Sequence, residues 1–509
     1  MKINQIKAGA ILSYLSMGLS TVISMVYTPI MISRLGESEY GVYNLVLPII
    51  SYLNLLSLGL GSAYVRYFSR AKVADDKKGM AKINGMFLTT YSVLGLLVLV
   101  IGFYLSFHGE VIFGKKLTAE EIALGERLLR ILTVNAAIHF PVNVFESHVI
   151  VNERYFFQKL VYMGKQVLNP LIMIPLLLMG FRSVTLTVTS LVFTVLSAVL
   201  NVGYCLGNLR MKFDLRHYDF RMMREMMGFT FYVFLGIVVE NINWSIDRLV
   251  MGWVHGTAAV TVYTVASQLN VYYLSFSNAV SNVLTPRVHR MVAENRSNKE
   301  LTQLFSKAAR LQFILLACIF LGFVAVGRTF VVLWGGGEQF AVDYAATLLL
   351  FASTIVPAMQ VVGIEIQRAK NMHKFRSVTY SAVAVVNALL LIPACRYGGC
   401  VGAAACVLFT TVFGQVIPMN WYYHKRIGLH IPWFWKKNCQ LLPSMIVPAA
   451  VAVCIALFAR VESYFHILLW GCVFVAVYAV FLWLFGLNRY ERELVTVPLG
   501  KIVRRLKRR

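Results

Sequence analysis

Glu240, Asn243 and Asp247 recur at i, i+3 and i+7 in an apolar stretch, a spacing that sets two carboxylates and an amide on one helix face, with Asn241 and Arg248 beside them. A charged side chain at mid-membrane costs ~2.5 to 3.5 kcal/mol. Charges repeated in one segment must therefore border a polar cavity or neutralise partners on neighbouring helices. In the first case Glu240 and Asp247 are candidate ligands for a coupling cation. In the second they only hold a bundle together. Adjacent positions do not face each other on a helix, so Asp247 and Arg248 have different partners, which leaves Arg248 able to contact an anion.

Other polar groups recur inside apolar runs. Ser13, Ser16, Ser20, Ser24 and Thr28 form a small stripe near Tyr14 and Tyr27, read either as close helix packing or as cavity lining. Asn54, Gln268, Tyr272 and Lys165 are further lining candidates, together with Arg248, Asn241 and Asn243. Glu146 and Glu365, with Arg368, occupy matching places in the two halves of the chain, as gating contacts or as end groups reaching water. His139, Asn143 and His148 lie near Glu146 in sequence. No phosphate-cradling GKS or GKT loop, CxxC pair or His cluster at ligand spacing occurs, and no nucleophile constellation emerges. The expectation is a protein without catalytic residues, metal or cofactor.

These residues need long helices to position them. With 58% hydrophobic and 14% charged residues the chain falls in the membrane class. Apolar segments over 8–32, 42–65, 83–107, 128–150, 160–181, 184–208, 228–254, 258–284, 311–334, 343–367, 376–395, 399–423, 440–459 and 465–486 predict about fourteen transmembrane helices, each able to cross a ~30 Å hydrocarbon layer. The first lacks a convincing cleavage site and reads as an uncleaved span. The formal charge of +25 comes from clusters between spans, not from one basic face as nucleic acid would need. Arg66, Arg70, Lys72, Lys77, Lys78 and Lys82 in one loop, and Arg210, Lys212, Arg216, Arg221 and Arg224 in another, mark these loops as cytoplasmic. The parity continues along the chain, so both termini are expected inside.

Shifted on itself by about 220 residues, the chain aligns Gly36 with Gly256, Val42 with Val262 and Tyr43 with Tyr263. NERYFF from Asn152 falls over NMHKFR from Asn371 at nearly the same shift. The expected organisation is a six-helix bundle over 1–210, a second over 220–426, an additional helix pair over 436–488 and a basic tail over 489–509. The tail, with Arg504, Arg505, Lys507, Arg508 and Arg509, either fixes topology or binds anionic membrane lipid.

RLGESEYGVYNLV after the first span, SIDRLVMGWVHGTAAVTVYTVA in the seventh, AKNMHKFRS after the tenth and IPACRYGGCVGAAA into the twelfth occur in an order that resembles the polysaccharide transporter family. That family belongs to the multidrug, oligosaccharidyl-lipid and polysaccharide exporter (MOP) superfamily and includes the lipid-linked O-antigen and exopolysaccharide repeat-unit flippases. The resemblance implies two bundles around a cationic cavity open alternately to each side. It also implies a lipid-linked oligosaccharide substrate, location in the inner membrane of a bacterium, and a glycan polymerase and glycosyltransferases as further partners. Asp247 and Arg248 match the family's Asp-Arg position. The first span has no acid, unlike drug-exporting relatives, so coupling to H+ or Na+ stays open there. The alternative on the same fold is a cation-coupled multidrug antiporter.

Overall fold

The computed structural model describes residues 5–493 and 496 apart from Leu58, Lys115, His217 and Asn371; side chains are described from residue 18 onward, with gaps over 226–244 and 279–286. Among the described residues the chain is helical, with no strand. In hydrocarbon each backbone N–H and C=O must find its partner inside the segment, and an apolar run satisfies that demand only as a helix. Nine helices, or ten if one pair bent by 46° is a single span, are long and apolar enough to cross a membrane among the described residues. Two of these stretches, Gly18–Val73 and Lys374–Ile427, are 56 and 54 residues long.

The chain divides into two compact units, Met1–Thr261 and Val262–Arg509. In the first, α1 runs from Gln5 to Asn54 and breaks at Gly36, whose φ of 78° and ψ of 168° suit glycine alone. The first two predicted segments lie on either side of that break. They are followed by α2 (Leu60–Val73), α3 (Lys77–Ser106), α4 (Gly109–Phe113), α5 (Ala119–Val151), α6 (Tyr155–Leu178), α7 (Ser183–Gly207) and α8 (Phe220–His255). The helix α5 is central, packing on α3 and α7, while α1 packs on α6. Small residues permit the approach: a Cβ at Gly102 on α3 would stand 2.4 Å from Thr133 on α5. At one end of this core the Tyr64 hydroxyl lies 2.6 Å from Asn84 Oδ1 and 2.7 Å from His148 Nδ1, and Lys72 donates to Asn152 at 2.8 Å.

The helix α9 (Thr257–Ala293) begins in the first unit and continues into the second. There follow α10 (Asn298–Gly335), α11 (Ala341–Met359), α12 (Val361–Ala369), α13 (Lys374–Thr410), α14 (Ile417–Tyr422), α15 (Ile431–Cys439), α16 (Leu442–Phe458) and α17 (Tyr464–Phe481). Two predicted segments run through α13, its π-helical continuation and α14, with a break at Gly399. Ser297 and Glu300 close α10 with a reciprocal capping box. The Arg310 guanidinium holds both Glu491 oxygens, at 2.6 and 2.9 Å, and the carbonyls of Lys437 and Gly486. That buried fork ties the segment after α17 to α10.

The compact first unit takes in α8, which the repeat places at the head of the second half. There α8 packs on α1, α2 and α4. Most of the tail over 489–509, including Arg504 to Arg509, lies outside the described residues.

Candidate substrate path

The first unit gathers a polar ladder from three apolar helices. On α5, the Asn143 amide donates to His139 Nδ1 at 3.3 Å, which leaves the ring proton on Nε2, 3.8 Å from Glu146 Oε1. On α6, Lys165 donates to Thr194 Oγ1 of α7 at 2.9 Å. Thr194 in turn donates to the Ser190 carbonyl, and Asn135 reaches Ser190 Oγ at 3.3 Å. Glu146 acts electrostatically on both His139 and Lys165. Among the described residues no carboxylate oxygen comes within 4.0 Å of Lys165 Nζ, although the lysine is half-buried. Its positive charge is thus closed by a neutral hydroxyl, an arrangement that suits an anionic guest.

Of the α8 stripe, Asp247 is buried and Arg248 and Asn241 are half-buried, while the side chains of Glu240 and Asn243 lie outside the described residues. Asp247 is the charged neighbour of the Tyr52 hydroxyl on α1. Asn54, two residues further, is exposed.

A second polar junction sits where α8 turns into α9. Ser38 Oγ and Thr257 Oγ1 each donate to Glu121 Oε1 at 2.6 Å, and the Thr118 N–H donates to Glu121 Oε2 at 2.8 Å. Thr261 Oγ1 donates to the Glu37 carbonyl at 2.6 Å and Trp253 Nε1 to the Ile112 carbonyl. Gly41 is required for the approach, because a Cβ there would stand 2.2 Å from the Thr257 carbonyl oxygen.

In the second unit Glu365, with a side chain 12% exposed, accepts from Arg368 Nη1 at 2.7 Å and lies 3.4 Å from His289 Nε2 of α9. Glu146 and Glu365 therefore each stand beside a histidine. Gln268 is half-buried and Tyr272 buried on α9. A recess lined by Gln360, Tyr380, Gln415 and Tyr423 offers about 10 Å³, room for about one water and none for a sugar. Among the described residues no group of three or more His, Cys, Asp or Glu side chains is placed to hold a metal ion.

The sequence alone singles out Lys165, Glu146, Glu365 and Arg368 but not Thr194, His289 or Glu121. The partners of the first two come from other helices, which spacing along one helix does not reveal. Glu121 carries a local signal, since Thr118 three positions earlier completes a capping box.

Long apolar helices bearing polar junctions at depth define a multi-pass membrane protein with the fold of transporters and flippases. The chain belongs to the polysaccharide biosynthesis protein family, whose model matches residues 6–292. Its fold is similar to that of the lipid II flippase MurJ in an inward closed conformation, at 14% identity and a TM-score of 0.75 over 96% of this chain and 99% of that one. It is also similar to an inward-facing multidrug resistance MATE family transporter of the MOP superfamily, at 15% identity and a TM-score of 0.68 over 82% and 96% of the two chains. A MOP superfamily transporter from Pyrococcus furiosus shares 15% identity and a TM-score of 0.56 over 85% and 97%. No curated protein matches the sequence.

Proposed function

We propose that the protein moves a polyprenyl-pyrophosphate-linked oligosaccharide, an O-antigen, capsule or exopolysaccharide repeat unit, from the cytoplasmic to the outer leaflet of a bacterial inner membrane by alternating access. In this reading about fourteen spans place both termini inside, with two six-helix bundles over 1–210 and 220–426 and a further pair over 436–488. The observation that carries it is Lys165: a half-buried cation in a membrane-spanning helix, hydrogen-bonded to the Thr194 hydroxyl, with His139 and Glu146 as its electrostatic neighbours. Pyrophosphate takes the cation, and the hydroxyl and amide groups suit sugars. Arg248, Asn241, Asn243, Asn54, Gln268 and Tyr272 complete the proposed lining; Glu146, Glu365 and Arg368 gate it.

A doubly charged head group moving outward gains ~4 to 5 kcal/mol at 100 mV, interior negative, if no compensating charge moves. Family membership supports the cargo class, since the family is one of polysaccharide biosynthesis. Deleting the gene should strand polyprenyl-linked repeat units on the cytoplasmic leaflet, leaving the surface glycan depleted. A normal glycan profile with altered drug tolerance favours the second reading, a cation-coupled multidrug antiporter. That reading draws on the likeness to MATE transporters and on Asp247 beside Tyr52, with Glu240 and Asp247 as ion ligands.

A further inference from the structure

Aspartates begin three helices, and two of them are used as aspartates at helix starts normally are. Asp76 accepts from the Gly79 N–H at 2.8 Å and Asp219 from the Met222 N–H at 2.9 Å. Asp343, in the first turn of α11, does neither. Its residue is 0% exposed, and both carboxylate oxygens are enclosed with no hydrogen-bond partner. Thr347, one turn along, is likewise 0% exposed with its hydroxyl unpartnered. An ionised carboxylate in such a place loses far more in desolvation than the nearby helix terminus returns, so the group is neutral.

Charge can be neutralised by a proton or by a metal cation. A metal cation needs several oxygen ligands, and the surroundings supply few. Of the elements packed on α11, α13 brings Cys400, an uncharged thiol near Asp343 and the Tyr263 backbone of α9. The helix α10 brings Arg328, which pairs at 3.3 Å with Glu338 of the preceding turn, both well exposed. Tyr344 donates to the Val324 carbonyl of α10. No cation faces Asp343 among the described residues.

We propose that Asp343 is a proton-binding site of the transport cycle. It is protonated in the conformation seen here and releases the proton when the contact between α11 and α13 admits water. The site needs no particular cargo, so it stands or falls separately from the function proposed above.

The test is infrared difference spectroscopy on the full-length protein in lipid vesicles. At neutral pH the wild-type chain should show the carbonyl-stretch band of a protonated carboxyl group, lost in Asp343→Asn and shifted when the unmutated chain carries 13C-labelled aspartate. The labelled measurement keeps the test valid if the variant does not fold. Identical spectra with and without the label overturn the proposal. A band that appears only when sodium is withdrawn overturns it in favour of a cation site. In flux assays Asp343→Asn should lose the response to an imposed pH gradient while keeping the response to potential; an undiminished pH response contradicts a role in the cycle.

Discussion

Gly36 and Gly256 adopt nearly the same backbone conformation, φ 78° and ψ 168° against φ 84° and ψ −171°. Each stands between two helical segments, about 220 positions apart, at the place where the chain aligns with itself. This region of φ/ψ space is open to glycine almost alone. A shared strained turn at matching positions is what duplication of a helical bundle leaves behind, and it supports the paired organisation proposed above.

Alanine at Gly36 should therefore cost about 1 to 3 kcal/mol through strain alone, since no atom lies within 4 Å of a Cβ there. Gly41→Ala should cost more, because its Cβ meets the Thr257 carbonyl oxygen at 2.2 Å. Thermal unfolding in detergent, followed by the loss of the monodisperse species, ranks the two. Equal midpoints for both variants and the wild type would remove the conformational argument.

Lys165→Ala should lower export by roughly tenfold to a hundredfold at normal protein levels, the equivalent of ~1.5 to 3 kcal/mol for one hydrogen bond to a charged group. Thr194→Val keeps the cation and removes one neutral partner, so its loss should stay within about tenfold. Transport of a labelled lipid-linked oligosaccharide into the outer leaflet reads both. Wild-type rates in Lys165→Ala would take the residue out of the substrate path.

The Arg310 and Glu491 side chains are 6% and 3% exposed, so removing either partner strands a buried charge. Glu491→Gln or Arg310→Met should each destabilise the protein by about 3 to 5 kcal/mol, and the double replacement Arg310→Met with Glu491→Leu should recover most of that. The same unfolding measurement decides. Additive losses in the double variant would mean that the two residues do not act as a pair.

Asp219 caps α8 and accepts from Lys82 Nζ at 3.0 Å. The Met222 N–H first, and then Lys82, hold its carboxyl below the ordinary value of 3.8. A depressed folded-state value means that the unfolded chain binds the proton more readily, so the contribution is present above the ordinary value and lost as pH falls through the lowered one. Asp219→Asn should flatten stability against pH in that acid range and leave its slope near neutrality unchanged. An unaltered acid limb would contradict the assignment.

The helices were legible because an apolar run dictates membrane and helix together: the predicted segments are helical over most of their described length, with turns at Gly59 and Gln360 inside two of them and overruns into Phe181 and Ala459 at the ends of two others. Gly36 and Gly256, which the sequence pairs by residue type, share a backbone conformation in the structure. The polar junctions were only half legible. Lys165 and Glu365 announce themselves as charges in apolar surroundings, but Thr194 and His289 lie 29 and 76 positions away and reach them through packing between helices. Asp343 was hidden for the opposite reason. At the start of an apolar segment an acid reads as an exposed end group, and only the enclosure of both its oxygens distinguishes it.

Purified protein reconstituted in vesicles with a fluorescent polyprenyl-pyrophosphate oligosaccharide tests the central claim most directly, by following how much head group becomes accessible to a quencher on the far side. A potential negative on the loading side should accelerate the appearance, and Lys165→Ala should slow it. No movement of the lipid-linked sugar, together with extrusion of a cationic dye against an imposed ion gradient, would contradict the flippase and establish the antiporter instead.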